Sequence, residues 1–333
     1  MPHLHRVGLP ALISMLSLCA TASGPVFSQG AADNYPSRAV TVIIPFPAGG
    51  PIDQEGRRYT QKMSGLMGQQ FIIDFKPGGG TGIGTEYVAR ARPDGYTLLA
   101  ATAALTVFPA FAKDMSFDII KDLAPISLMS KRAILLQAHP SFPAKNFAEY
   151  IAYARANPGK INYGTTGQGE SSHLAGAWMH LLTNTKATFI PYKGGGPLFV
   201  DLLAGRLDVA AGALLAGLSF IKAGKTRAIA IMGDQRSKQL PDVPTVAEYP
   251  GLQDFSYSQW LGFIAPGPTP AAILNKLSTQ FAAVVKAPDM VTMLEAEGSV
   301  SVGSTPEQFR QLIATETASW RKVVNDTGIK LGE

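Results

Sequence analysis

Val40-Thr41-Val42-Ile43-Ile44 is closed by Pro45 and followed by Phe46-Pro47-Ala48-Gly49-Gly50-Pro51-Ile52-Asp53, and the fold turns on this stretch. An unbroken β-branched run reads as a strand buried on both faces. A helical pattern from Asp53 to Met67 follows it, so the segment between is a strand-to-helix loop at the carboxyl end of a strand. Working outward, Phe71-Ile72-Ile73 is a second strand. A glycine-rich segment then opens a helix through Ala91, and Tyr96 to Ala100 is a third strand. Strand, helix, strand, helix, strand predicts a parallel sheet with right-handed crossovers.

The pattern then restarts. Asn146 to Ala156 reads as a helix ended by Asn157-Pro158-Gly159, and Ile161-Asn162-Tyr163 as a strand. Ser171 to Leu182 is a helix, Thr188 to Ile190 a strand, and Leu198 to Leu203 a helix. Leu207 to Ala210 and Arg227 to Met232 are further strands. Pro270 to Lys286, Pro288 to Glu297 and Pro306 to Asn325 are helices, each with proline at an N1-like place. Two apolar extended stretches, near 128–138 and 257–265, can carry the chain out of the first unit and back, which lets the C-terminal helices pack on the first domain. A cleft between two α/β domains is a natural place for a small ligand.

Length and composition agree. A chain of 333 residues is long enough to split its core into two domains. Its 34 glycines and 24 prolines fall short of low-complexity composition. The formal charge of +5 is mild and its basic residues are scattered, which gives no support to a nucleic-acid partner. His3, His5 and Arg6 precede an apolar run from Leu9 to Ala20, followed by small residues. That is the order of a cleavable secretory signal, assigned to residues 1–31 with cleavage between Ala22 and Ala32. Cys19 is the single cysteine, so the mature chain has no disulfide, as is common in the bacterial periplasm.

Four loops could carry chemistry. The first, Phe46 to Asp53, offers glycines and backbone N–H groups that suit an anion; Asp53 would repel an anion and reads as an N-cap or loop brace. The second runs from Tyr163 to His173 and mirrors the first: Thr165, Thr166, Gly167 and Ser171 surround a helix start. The third, Gly78 to Gly84, resembles G-x-G-x-x-G, but no acidic partner follows at the distance a dinucleotide site needs, and it reads as a flexible turn. The fourth is Pro191 to Gly196, where Lys193 could pair with a carboxylate or brace the hinge. His139, His173 and His180 have no metal or triad companions, so no metal, cofactor or catalytic residue is expected.

Several segments together resemble the Bug family, the periplasmic solute-binding components of tripartite tricarboxylate transporters. They are Tyr35-Pro36-Ser37-Arg38, Pro45 through Asp53, Pro93-Asp94-Gly95-Tyr96-Thr97-Leu98, Ala156-Asn157-Pro158-Gly159-Lys160, Pro191-Tyr192-Lys193-Gly194, Leu240 through Thr245, and Gly303-Ser304-Thr305-Pro306. The resemblance implies an α/β, periplasmic binding protein-like fold (Venus flytrap, type II) of two doubly wound domains. Domain 1 would comprise 35–130 and 263–333, and domain 2 would comprise 131–262. It implies a protein that holds a small carboxylate between the two strand-to-helix loops, partly through bridging waters, and hands it to membrane transporter subunits; a monomer is expected, because closure of a binding cleft needs no partner. The implied ligand-binding residues are Phe46, Ala48, Gly49, Gly50, Asp53, Thr102, Thr165, Thr166, Gly167, Ser171 and His173. Two alternatives stay open: a sensor subunit signalling to a membrane kinase, and a periplasmic hydrolase using His173.

The chain departs from the family pattern in two places. Ala103-Ala104-Leu105 stands where small polar residues are usual, and Ala210-Ala211-Gly212-Ala213-Leu214 where an acidic–amide pair is common. A buried polar group left unpaired costs about 1–3 kcal/mol. The expected ligand therefore has one anchored carboxylate and an apolar or aromatic remainder, rather than three carboxylates.

Overall fold

The computed structural model describes His3 and residues 34–327, apart from 113–114, 169, 234, 254 and 256. The expected signal segment, His3 aside, and Cys19 lie outside the described residues. The first part of the chain forms β1 (Val40–Ile44), α1 (Pro51–Met67), β2 (Phe71–Phe75), α2 (Gly82–Ala89), β3 (Thr97–Thr102), α3 (Ala104–Phe111) and β4 (Leu123–Arg132). The middle forms β5 (Ile134–Ala138), α4 (Phe147–Ala156), β6 (Asn162–Thr165), α5 (Ser171–Leu182), β7 (Thr188–Pro191), α6 (Gly195–Leu203), β8 (Val209–Ala213), α7 (Leu214–Lys222) and β9 (Arg227–Met232). The last part forms β10 (Gln259–Pro266), α8 (Ala271–Lys286), α9 (Pro288–Ala296), β11 (Ser299–Ser301) and α10 (Pro306–Thr327).

The strands make two sheets, ordered β11-β4-β10-β3-β1-β2 and β7-β6-β8-β5-β9. One plan underlies both. In each, the first βαβαβ run gives three parallel strands, and an antiparallel strand separates them from the rest. The parallel sheets expected from the sequence are thus mixed, and the chain path is the reason. β4 runs through Ala133 straight into β5, which enters the second sheet from the first unit; β10 makes the return journey. Lys131, Arg132 and residues 259–262, placed in the second unit by the sequence reading, pair within the six-stranded sheet.

Period-two alternation explains the layers. In β1, Val42 and Ile44 face a core built with α1, α8 and α9, through Tyr59, Phe281 and Met290. Ile43 between them faces the opposite core, with Leu99, Ile264 and Phe309 of α10. The sheet is therefore covered on both faces. The last helix does more than cover it. Its early residues Phe309 and Ile313 belong to the first unit, whereas Trp320 and Val323 join the core of the second. Trp320 packs edge-on against Trp178 of α5 and Tyr257, at 5.5 and 5.0 Å between ring centres. Burying a side chain of this size contributes about 1.5–3 kcal/mol or more, so α10 is a strut between the units as well as a layer on the first.

Candidate functional site

Between the two sheets lies a cavity of about 1120 Å³. It opens where strands end and helices begin: the β1–α1 loop gives Pro45 and Phe46, the β3–α3 junction Thr102 and Ala103, the β6–α5 loop Gln168 and Ser171, and the β8–α7 junction Ala213 and Leu215. Parallel α/β sheets leave their ligand crevices at this end of the strands. Helix starts also bring unpaired N–H groups and a positive dipole end, which favour an anion. Much of the remaining wall is apolar, with Val107, Phe108, Leu174 and Trp260. Behind it, Glu316 of α10 accepts hydrogen bonds from Trp260 Nε1 at 3.0 Å and Thr106 Oγ1 at 2.8 Å, which fixes the indole.

Of the residues expected in the site, Phe46, Thr102 and Ser171 line this cavity; Ala48, Gly49, Gly50, Asp53, Thr165, Thr166, Gly167 and His173 are not among its lining residues. Helix α1 starts two residues earlier than the sequence suggested, with Gly50 as N-cap and proline at its start, so Asp53 lies in the first turn. Its Oδ2 reaches back to accept the Gly49 N–H at 2.8 Å, and Arg57 Nε holds Oδ1 at 2.6 Å. Gly49 sits at φ +86°, a left-handed backbone that suits glycine. Asp53 is therefore a brace of the first loop.

The second loop is braced differently. Ser172, in the first turn of α5, accepts the Thr166 N–H at 2.9 Å and shares a hydrogen bond with Thr166 Oγ1 at 2.9 Å. Thr165 Oγ1 donates to the Gly167 carbonyl at 3.3 Å. The neighbouring turn adds support, for Gly194 N–H donates to the Thr166 carbonyl at 2.9 Å. Lys193 is not among the cavity-lining residues. Glu170 lies on the cavity wall, and desolvation there raises its carboxyl pKa above the usual carboxylate range.

The glycine-rich segment read as a flexible turn has a defined place: Pro77, Gly78, Gly80 and Thr81 form part of the wall. A Cβ on Gly84 would meet Pro45 and the Lys76 carbonyl at 2.8 Å, so glycine lets this segment press against the first loop. Thr81 is held at φ +84°, an uncommon conformation for a β-branched residue. Its buried hydroxyl has no hydrogen-bond partner among the described residues. Strain and an orphan hydroxyl on a cavity wall are features that functional sites retain.

Sequence reasoning also missed a charged end to the cavity. Glu55 is buried; its Oε1 accepts from Ser130 Oγ at 2.5 Å and Tyr59 OH at 3.1 Å, and its Oε2 pairs with Arg132. Arg58 pairs with Glu297 at 2.5 Å. These residues are far apart in sequence, and their meeting depends on the β4–β10–β11 pairing. The spacing of Glu55 and Arg58 from Ile52 on one helix face was the one signal available.

The histidines stand apart from the cavity. His173 is buried against Phe189, with ring centres 4.9 Å apart, and burial lowers its pKa. His180 hydrogen-bonds Tyr150 OH at 2.9 Å and Thr185 Oγ1 at 2.6 Å, and burial lowers its pKa to about 4. Among the described residues no cluster of His, Cys, Asp or Glu could hold a metal ion. Nor, among them, is any helix long and apolar enough to cross a membrane.

This geometry has relatives. The sequence profile described as Tripartite tricarboxylate transporter family receptor matches residues 56–329. The chain belongs to this family. Protein BugT of Bordetella pertussis is 33% identical over 325 residues, which is 97% of this chain and 98% of BugT. Among solved structures, a TctC solute-binding protein from Polaromonas superposes with a TM-score of 0.79 at 26% identity, over 88% of this chain and 99% of that one. An R. palustris protein solved with adipate gives 0.70 at 30% identity, over 89% and 99% of the two chains. MatC from Rhodopseudomonas palustris, with bound malate, gives 0.66 at 30% identity, over 87% and 100%. The receptor family is thus one of periplasmic solute-binding proteins, and the two-unit α/β fold of this chain is theirs.

Proposed function

We propose that this receptor is exported to the periplasm, captures a small carboxylate with an apolar body in the interdomain cavity, and presents the occupied form to a tripartite membrane transporter. The observation that carries the reading is the convergence of four strand-to-helix junctions, two from each sheet, on one largely apolar cavity. Helix starts and the hydroxyls of Thr81, Thr102 and Ser171 supply donors for one carboxylate. Ala103, Ala104 and Ala213 supply wall without polar groups. Adipate and malate in the two related structures are both carboxylates. At about 1120 Å³ the cavity exceeds the usual ~300–1,000 Å³ of ligand pockets, so a small acid would fill it after the units draw together. Delivery to a transporter follows from the family and predicts that deleting the receptor abolishes cellular uptake of its acid.

The test is a thermal-shift screen of aliphatic and aromatic mono-, di- and tricarboxylates, with sugars and amines as controls. Ligand at about 100 times Kd adds about 2.7 kcal/mol, which raises Tm by several degrees for a chain this long. Hits confined to carboxylates, weakened by combined Thr102→Ala and Ser171→Ala in a protein that still folds, are expected. Hits among the neutral or cationic controls instead would overturn the reading.

A further inference from the structure

Arg58 and Arg132 are the guanidiniums on the cavity wall among the described residues, and each is already matched to a glutamate of the protein. Arg132 is held by Glu55 and, through Nε, by Ser299 Oγ at 2.8 Å. Arg58 is held by Glu297 of the α9–β11 turn, and the two side chains are similarly half-buried, at 30% and 31% exposure. Ile52, Glu55 and Arg58 all line the cavity and recur every three residues, so one face of α1 runs along it. Arg58 lies six residues beyond Ile52, about 9 Å along the helix at ~1.5 Å per residue. An acid seated at the start of α1 can therefore extend along this face toward Arg58.

We infer that Glu297 is an internal counter-anion that restricts the cleft to acids with a single carboxylate, because it occupies the cation a second carboxylate would need. The inference rests on the carboxylate reading above and deepens it. A diacid that extends along this face of α1 must displace Glu297 from Arg58, or place its second charge beside Glu55 and Glu297. Like charges repel strongly in a partly desolvated cleft, and selectivity is commonly set by such a repulsive element. The turn that carries Glu297 is held on two sides. The adjoining Gly298 is so close to α7 that an added Cβ would lie 3.4 Å from Leu215 Cβ. On the other side, Lys238 Nζ pairs with Glu295 at 2.6 Å, and Gln239 Nε2 donates to the Glu295 carbonyl at 3.0 Å. The turn is wedged between the units, and its backbone keeps the Glu297 carboxylate beside Arg58, at 2.5 Å, and 4.0 Å from Arg132.

The experiment compares chain-matched acids, hexanoate with adipate and octanoate with suberate, by calorimetric titration. It uses the parent protein, Glu297→Gln and the double variant Glu297→Gln with Arg58→Gln, each checked for native circular dichroism. The parent should prefer the monoacid of a pair by about tenfold or more, and Glu297→Gln should gain about tenfold for the diacid while the monoacid changes little. The double variant should lose that gain. A parent that binds diacid as tightly as monoacid, or an unchanged ratio in Glu297→Gln, overturns the inference and leaves carboxylate capture standing. No binding of any of the four acids to parent or variant overturns the inference, and the carboxylate reading falls with it only if the aromatic acids of the thermal-shift screen are silent too.

Discussion

In the six-stranded half, the loop after β1 is held by a carboxylate; in the five-stranded half, the equivalent loop after β6 is held by a hydroxyl. Asp53 accepts the Gly49 N–H in one, and Ser172 accepts the Thr166 N–H in the other. The contrast extends inward. The first half buries charge, as Glu55 against Arg132, with Ser130 and Tyr59 completing the carboxylate's bonds. The second buries neutral groups: His180 lies between Tyr150 and Thr185, and Tyr163 packs against Phe189. Strand order fixes where each loop stands relative to the cavity. The bracing chemistry is a separate choice, and it sets how each half answers to mutation and to pH.

The largest effect should come from breaking the buried charge. Glu55 is 1% exposed, and removing its charge leaves Arg132, with a side chain only 21% exposed, without its main partner. Glu55→Gln should destabilise the protein by about 3 kcal/mol, the low end for breaking a buried pair. Urea unfolding at neutral pH measures it. A cost below about 1 kcal/mol would show an ion pair screened like one on the surface, and the contrast between charged and neutral halves would fail.

Next in size is a response to acid that belongs to the second half. Burial holds the folded-state pKa of His180 down to about 4, against 6.5 for an ordinary histidine. The neutral ring is favoured in the fold, so its contribution is fully present above about pH 6.5 and is lost as pH falls toward 4. Between pH 7 and pH 5 the loss is about 2 kcal/mol, which lowers Tm by several degrees. Burial shifts His173 the same way. Glu248, held down to about 2 by Arg236, works in a lower window, since its contribution fades only as pH falls below the ordinary carboxylate range. His180→Gln should flatten the slope between pH 7 and 5. If the slope persists in that variant, the acid response belongs elsewhere.

Much of this plan was legible before any coordinates. Strands such as Val40–Ile44 and Arg227–Met232, and the helix Ser171–Leu182, stand at their expected bounds, because apolar runs and capping residues are local signals. The fold class followed, and so did the positions of the two facing loops. Helix α3 was missed because Pro109 interrupts its pattern; Leu105 and Val107 pack it into place on two different cores. Helix α7 was missed because its apolar run continues from β8 with no polar break. Strands β5 and β10 lie in the two stretches read as carrying the chain between the units, but their antiparallel pairing, which makes both sheets mixed, was not read, since no window of sequence records it. Among the residues that line the cavity, Phe46, Thr102 and Ser171 were expected from loop composition and family likeness. Arg58, Glu55, Arg132 and Glu297 were not, since their meeting is produced by tertiary pairing across as many as 242 positions.

The smallest effects compare the two braces directly. Ser172 is 2% exposed, and Ser172→Ala removes the acceptor of the Thr166 N–H and the partner of its hydroxyl. A hydrogen bond lost with a polar group left behind costs about 1–1.5 kcal/mol. Asp53→Asn keeps an amide oxygen able to accept from Gly49 and gives up only the charge opposite Arg57, whose side chain is 60% exposed. This i,i+4 pair joins an exposed Arg57 to a buried Asp53, at 6% exposure, so its charge contributes about 0.5–1 kcal/mol, above the ~0.3–0.5 kcal/mol of a fully exposed helical pair. The hydroxyl brace should therefore matter more than the charge of the carboxylate brace, and the Asp53→Asn effect should shrink further in 0.5 M salt while that of Ser172→Ala holds. Should Asp53→Asn prove the costlier change, and remain so in salt, the Asp53 carboxylate would be stabilising its loop through its charge rather than through the hydrogen bond to Gly49. The first loop would then be a charge-dependent element facing a neutral one.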